Sequence, residues 1–448
     1  MKMQEIAIYG IFVAVLGASL ISLIKNNTLA TLSNILASSV AFILSLYLLI
    51  QPDFHNSWLY VDFVTKVMFL IITMIYLFAA LHANVCMRNI KRFFISPNYG
   101  WSLLAGFTLT MLLAVSTPSL GYAWLWLEAS TVISAALILM EKEKSHVESA
   151  WRYVLIASSG LAIGLFSIIL YGGITGGFTW VNATISKGAL LVGSLALIGF
   201  GTKAGLFPMH TWLPDAHGTA PSPVSALLSG ALLPSSLIVF YRIYGVMHSL
   251  PLFYLTAILG ILTIWVASLL MISQKRTKRL FAYSSMDVMG IATVGISLTY
   301  FYPSAIYFVL VVFLAHAFGK SALFLSAGTL KRHGKEEISE IRNLIETSKT
   351  LSFAILVSAL TVTGAPPFAM FFGEFGIFIA LIAHPWLFFF LISGVLLSFL
   401  ALNYHVVSML FSDGEEGRIK LSESMVPFGI SIASLFLILI IYFWGWNL

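Results

Sequence analysis

The sequence predicts an all-α polytopic membrane protein of about fourteen transmembrane helices, with two inverted five-helix repeats and two discontinuous helices. Three observations carry that expectation. Charged residues make up 9% of the chain and hydrophobic ones 59%, whereas an ordinary soluble domain carries about 25% charged residues. The apolar runs are long enough to cross a hydrocarbon core as helices, which takes about 20 residues, and they do not alternate in polarity as barrel strands do. Two of the runs carry an ionisable residue and are broken by glycine and proline, which is how discontinuous membrane helices read in sequence.

The elements follow in order. Lys2 ahead of an apolar run resembles the start of a secretory signal. No small-residue cleavage site leading into a soluble domain follows, so the run reads as the first span. The spans lie at roughly 5–24, 29–50, 61–83, 101–117, 119–140, 152–171, 187–210, 222–246, 251–272, 284–301, 303–330, 350–382, 386–411 and 426–446. They group as an N-terminal three-helix segment (1–100), a first inverted repeat (101–250), a second (251–411) and a C-terminal span (412–448). The longest polar stretch, Lys331–Lys349, reads as a short amphipathic surface element.

Orientation follows from Lys and Arg. With the loop after the first span inside, the inside loops fall near Lys25, Arg88–Arg92, Glu141–Arg152, Gln274–Arg279, Lys331–Lys349 and Ser412–Ser424. They hold eighteen of the 24 basic residues. Both termini are then outside, and the net charge of +6 reflects cytoplasmic loops rather than nucleic-acid binding. The single Cys86 excludes a disulfide within the chain and a cysteine-ligated cluster. The phosphate-cradling glycine motifs are absent, and no histidine pair is arranged for haem. No cofactor is expected in this chain.

A charge at the bilayer centre costs about 2.5–3.5 kcal/mol on insertion scales, so intramembrane charges need a partner, a hydrated cavity or a task. Glu128 lies near the middle of the fifth span; the plain alternative is an inert carboxyl in apolar surroundings. Lys203 follows sixteen residues of span and precedes Pro208 and Pro214; the plain alternative is a snorkelling side chain. His316 and Lys320, four apart, share one helix face; alternatively they bond a carbonyl and reach for water. Glu374 follows Pro366 and Pro367 and could simply cap the restarted helix. Such a row of titratable groups suits a proton relay. His210, Asp215 and His217 either cap helices or help to admit and gate protons. Asp62 and Lys66, four apart, read as a local ion pair, and Arg242 and His248 as snorkelling side chains. His384 and His405 read as span-end histidines, and Gly160 with Gly164 as a small-residue packing pair.

Four stretches carry a resemblance: "GTKAGLFPMHTWLPDAHGTAPSPVSALLSG" (Gly201–Gly230), "KRLFAYSSMDVMG" (Lys278–Gly290), "HAFGKSALFLSAG" (His316–Gly328) and "TGAPPFAMFFGEF" (Thr363–Phe375). Together they resemble the antiporter-like subunits of respiratory complex I, a fold shared with Mrp-type cation/proton antiporters and group 4 membrane-bound nickel–iron hydrogenases. The first and last stretches look most similar to the hydrogenase branch. The resemblance implies that Glu128 and Lys203 form an ion pair, that His316 and Lys320 are relay positions, and that Glu374 is the terminal one. There is also one clear departure and one further variation. Relatives usually carry a lysine in the eighth span where this chain has Pro234, so hydration by Ser235, Ser236 and freed carbonyls is expected there. Asp287, where several hydrogenase-type relatives have an acid, is a further candidate for proton entry or gating. The long lateral helix of one complex I subunit is not expected.

The resulting expectation is a proton-translocating subunit of a hydrogenase-like membrane oxidoreductase in the cell membrane, without redox chemistry of its own. Its partners are other membrane subunits, the bilayer and protons, with sodium as an alternative ion. Two other readings stand beside it: a subunit of an Mrp-type sodium/proton antiporter, and a non-conducting structural subunit.

Overall fold

The computed structural model describes residues 3–87, 94–141, 143–414 and 419–445, side chains excepted at 84–87 and 438–445. Lys2, the basic loop Arg88–Arg92, Lys142, part of Ser412–Ser424 and the Cys86 side chain therefore fall outside the described residues. The described residues are mostly helical, as a bilayer requires of any segment that must satisfy its own backbone.

The helices run α1 (Met3–Ile21), α2 (Asn27–Leu49), α3 (Phe63–Met87), α4 (Pro97–Ser116), α5 (Leu120–Ile138), α6 (Lys144–Thr175), α7 (Ala189–Ala204) and α8 (Trp212–Thr219). Then come α9 (Ser222–Leu227), a π-helical turn (Leu228–Leu232) and α10 (Leu233–Tyr244) in one continuous rod. After these follow α11 (Leu250–Ile272), α12 (Thr277–Leu298), α13 (Ala305–Arg332), α14 (Leu344–Thr347), α15 (Lys349–Val362), α16 (Ala369–Leu381), α17 (Pro385–Phe411) and α18 (Leu421–Gly445). A two-stranded antiparallel hairpin, β1 (Phe54–His55) and β2 (Tyr60–Val61), precedes α3. Eleven of the described helices are long and apolar enough to cross a membrane. The seventh, twelfth and fourteenth expected spans rest on shorter apolar helices.

Both expected interruptions are present. α7 stops at Ala204 because Gly205 takes a left-handed φ of 77°, the usual way to end a helix. Pro208 then hinders its continuation, and Pro214 lies in the first turn of α8. α15 stops at Val362, with Gly364 at φ 66° and Pro366–Pro367 ahead of α16. A cis X-Pro bond lies in each break, at Phe207–Pro208 and Pro366–Pro367.

The chain forms two compact units, Met1–Ala204 with Thr219–Leu252, and Gly205–Gly218 with Phe253–Leu448. In the first, α6 and α7 make the most intimate pair. A Cβ on Gly160 would strike Thr202, and one on Gly199 would lie 2.5 Å from the Gly164 backbone nitrogen. The glycines therefore serve close helix contact, as in small-residue membrane interfaces. In the second unit α13 is central, packed by α12, α15, α16 and α18.

Two charge assignments differ from expectation. Asp62 does not pair with Lys66. Its carboxylate accepts from Arg242 Nη1 at 2.7 Å and Nη2 at 2.5 Å, while Lys66 Nζ donates to Asp53 at 2.7 Å and to the Gln51 carbonyl at 2.6 Å. Arg242 does not snorkel; it is buried, with its guanidinium 4.4 Å from the Trp180 ring. A fork-shaped donor suits a carboxylate better than a lysine four residues along. The Lys331–Lys349 stretch, expected as a short amphipathic surface element, is built from several short pieces. Its first two residues end α13, and the remainder is divided among a 3₁₀ turn at Ile338–Glu340, α14 and the start of α15.

Candidate functional site

In the first unit the close α6–α7 contact fixes where Lys203 lies. Lys203 follows Gly199 by one turn, and Tyr153 precedes Gly160 by two, so each lies on the contacting face of its helix. Lys203 is fully buried. Its Nζ donates to Thr131 Oγ1 and to Tyr153 OH, both at 2.6 Å. Tyr153 OH shares a 2.8 Å bond with Ser134 Oγ, and Ser134 donates to the Ser130 carbonyl at 2.6 Å.

Glu128 is not in direct contact with Lys203, so the expected ion pair is corrected. Its Oε1 accepts from Ser158 Oγ at 2.5 Å, and its buried Oε2 has no hydrogen-bond partner. Glu128 is half-buried rather than central to the packing. It still acts electrostatically on Lys203. The physical reason for the difference is local: two hydroxyls reach the ammonium first. Thr131, Ser134, Tyr153 and Ser158 were missed by sequence reasoning. The spacing Glu128, Thr131, Ser134 on one face of α5 was the available signal.

In the second unit His316 and Lys320 are both fully buried on α13, and Lys320 Nζ donates to the Phe281 carbonyl at 3.1 Å. Asp287, on α12, is buried and accepts from Ser398 Oγ of α17 at 2.6 Å; its Oδ1 has no partner. Glu374 is not the cap of α16, whose N-cap is Phe368. It is buried, and its carboxylate lies where a Cβ on Gly364 would be. Asp287 interacts electrostatically with both Lys320 and Glu374. Ser284, Ser321, Ser326 and Ser358 are buried hydroxyls without a hydrogen-bond partner among the described residues.

The remaining candidates belong to this second unit or to the proline region. His217 is fully buried, with Nδ1 2.9 Å from the Leu213 carbonyl and its ring beside Phe324; Lys278 and Lys320 both act on it electrostatically. Asp215 pairs with Arg279 at 3.4 Å, and His210 is buried near Phe207 and Tyr283. His405 Nε2 lies 3.1 Å from the Met271 carbonyl. Pro234 sits at the start of α10, just after the π-helical turn. The expected hydration of its serines meets a different arrangement: Ser235 Oγ donates to the Ala231 carbonyl and Ser236 Oγ to the Phe200 carbonyl, both at 2.8 Å. Among the described residues no group of three or more His, Cys, Asp or Glu side chains could hold a metal ion.

Discontinuous helices with buried ionisable groups beside them define a transporter-type membrane protein. The particular family is given by sequence: the chain belongs to the NADH:quinone oxidoreductase/Mrp antiporter transmembrane family, whose pattern matches residues 117–401. It is 29% identical to the hydrogenase-4 component F homolog of Methylacidiphilum infernorum, over 80% of each chain. It is 28% identical to NADH-quinone oxidoreductase subunit N of Moorella thermoacetica, over 83% of this chain and 80% of that one. Its fold is similar to a chain of the Mrp complex from a Dietzia species, with a TM-score of 0.87 at 17% identity, covering 98% and 95% of the two chains. It is also similar to a chain of respiratory complex I from Thermus thermophilus, with a TM-score of 0.82 at 21% identity and 97% coverage of both. The protein is thus an antiporter-like membrane subunit of the kind found in multi-subunit complexes.

Proposed function

We propose that this chain is the proton-translocating subunit of a hydrogenase-like membrane oxidoreductase. The observation that carries the reading is the set of fully buried cations, Lys203 and Lys320, each close to an interrupted helix or a buried acid. Idle charges in a membrane interior are costly. The relay runs through Glu128 and Lys203 in the first unit. In the second it runs through His316, Lys320 and Glu374, with Asp287 between the last two electrostatically. His210, Asp215 and His217 admit or gate protons, and hydroxyls without protein partners favour a hydrated path. Pro234 replaces a bridging lysine. The sequence relationship to a hydrogenase-4 component F homolog supports the hydrogenase branch, with redox chemistry supplied by partner subunits and no cofactor in this chain. The chain sits in the cell membrane with its basic loops cytoplasmic and both termini outside, and moves protons, with sodium the alternative ion.

The test is proton transport by the reconstituted complex carrying Lys203→Ala. Loss of coupled transport with assembly retained is expected. Unchanged transport overturns the relay and leaves a non-conducting structural subunit. Affinity purification decides the partner. A nickel-binding large subunit supports the oxidoreductase reading, whereas small membrane subunits alone favour an Mrp-type antiporter.

A further inference from the structure

We propose that Thr131 and Tyr153 form a hydroxyl seat that holds the Lys203 ammonium whenever it is not in contact with the Glu128 carboxylate. The inference rests on the relay reading above and adds the device that governs its first step.

The two acceptors of the seat come from different helices. Thr131 is on α5 and Tyr153 on α6, each 2.6 Å from Nζ. The Tyr153 ring also lies 4.9 Å from Nζ, so the same side chain offers a hydroxyl and a π-face. Ser134 holds the tyrosine hydroxyl from behind at 2.8 Å, which aims a lone pair at the lysine. The ammonium has three donors, and the seat takes two.

The second position is Glu128 Oε2, buried and without a partner, while Ser158 fixes Oε1. Thr131 follows Glu128 by three residues, a rise of about 4.5 Å along α5. The carboxylate is therefore borne about one turn along α5 from the residue that bears one seat hydroxyl, and the ammonium sits on a flexible four-carbon stem. Neutral hydroxyls hold an ammonium less firmly than a carboxylate does. An added negative charge near Glu128, or its loss, therefore decides which position is occupied.

Few other groups face this lysine. α7 carries no other ionisable residue. α5 contributes Glu128 and α6 contributes Tyr153. From α10, Ser236 reaches the α7 backbone at Phe200, while Arg242 of that helix is committed to Asp62. Tyr153 and Thr131 are thus positioning residues acting through Lys203.

The experiment measures proton transport against pH in the reconstituted complex for wild type, Tyr153→Phe, Thr131→Val and Lys203→Ala. Both conservative variants keep the packing volume and remove one acceptor of the charged amine. Lys203 then gives up its proton at lower pH. The pH of half-maximal transport is expected to fall by about one unit in each variant. A purely structural role lowers yield or maximal rate and leaves that midpoint in place. Unmoved midpoints in both variants, with Lys203→Ala inactive, overturn the seat while the relay stands. An active Lys203→Ala overturns the relay itself. Should Tyr153→Phe fail to assemble, Thr131→Val, nearly isosteric, decides alone.

Discussion

Asp62→Asn is expected to destabilise the first unit by about 3 kcal/mol, the lower end of the range for breaking a buried ion pair. The magnitude follows from the geometry. Arg242 is 8% exposed and the Asp62 side chain 19%, so solvent screens the pair only weakly. Two charge-assisted bonds, at 2.7 and 2.5 Å, join them. Asparagine keeps one acceptor but leaves the guanidinium buried without its counter-charge beside Trp180 and Tyr60. The pair also carries a pH dependence. Burial alone raises the Asp62 carboxyl, but the Arg242 charge, its hydrogen bonds and those of Thr65 outweigh burial and hold it below its ordinary value. A carboxyl held low in the folded state contributes stability above its unfolded value of about 3.9, and that contribution is lost as pH falls through the lower folded value. Thermal unfolding in detergent at neutral pH, run as a double-mutant cycle with Arg242→Met, reads the coupling directly. A coupling energy under about 1 kcal/mol, the level of an exposed pair, refutes the assignment of a clamp.

Two further outcomes are expected. Gly364→Ala places a Cβ on the Glu374 carboxylate at a left-handed φ of 66°, which costs about 1–2 kcal/mol for a non-glycine residue; coupled transport should fall sharply while the complex still assembles, and wild-type transport would argue against any role for Glu374. Pro234→Lys inserts a long cation among fully buried neighbours whose serine hydroxyls already donate to the Ala231 and Phe200 carbonyls; size-exclusion chromatography should show loss of folded protein, and a monodisperse, active variant would show that the position tolerates a charge.

How much of this was legible in the sequence depends on the range of the interaction. The broken helices were legible because glycine and proline act on their own backbone: Gly205 and Pro208 end α7, and Gly364 with Pro366 and Pro367 ends α15, from local rules alone. The buried ionisable residues were legible because hydrophobic length fixes depth. Partner choice was not. Asp62 and Lys66 satisfy the four-residue spacing of a helical ion pair, yet Asp62 lies just ahead of α3 and takes Arg242, 180 residues away. No spacing rule reaches that far. Glu374 illustrates a third case, in which position relative to prolines suggested a cap. The helix restarts at Ala369, so the carboxylate is already in its second turn and points at the glycine of the break.

The Glu128–Lys203 expectation failed for a more general reason. Opposite charges in a low-dielectric interior attract over several ångströms, so complementarity in sequence identifies groups that sense each other. It does not identify which atoms touch. Contact is set by which acceptor lies within hydrogen-bond distance of Nζ, and that is decided by the glycine-mediated approach of α6 to α7. The approach brings Tyr153 across to Lys203, while Thr131 takes the nearer place on α5. A lysine bonded only to hydroxyls, with an open carboxylate oxygen one turn away, is a less stable arrangement than a closed ion pair, and its neighbours can therefore change it at little cost. That sensitivity is what coupling to a partner requires. A closed, fully bonded pair would resist the same small perturbation.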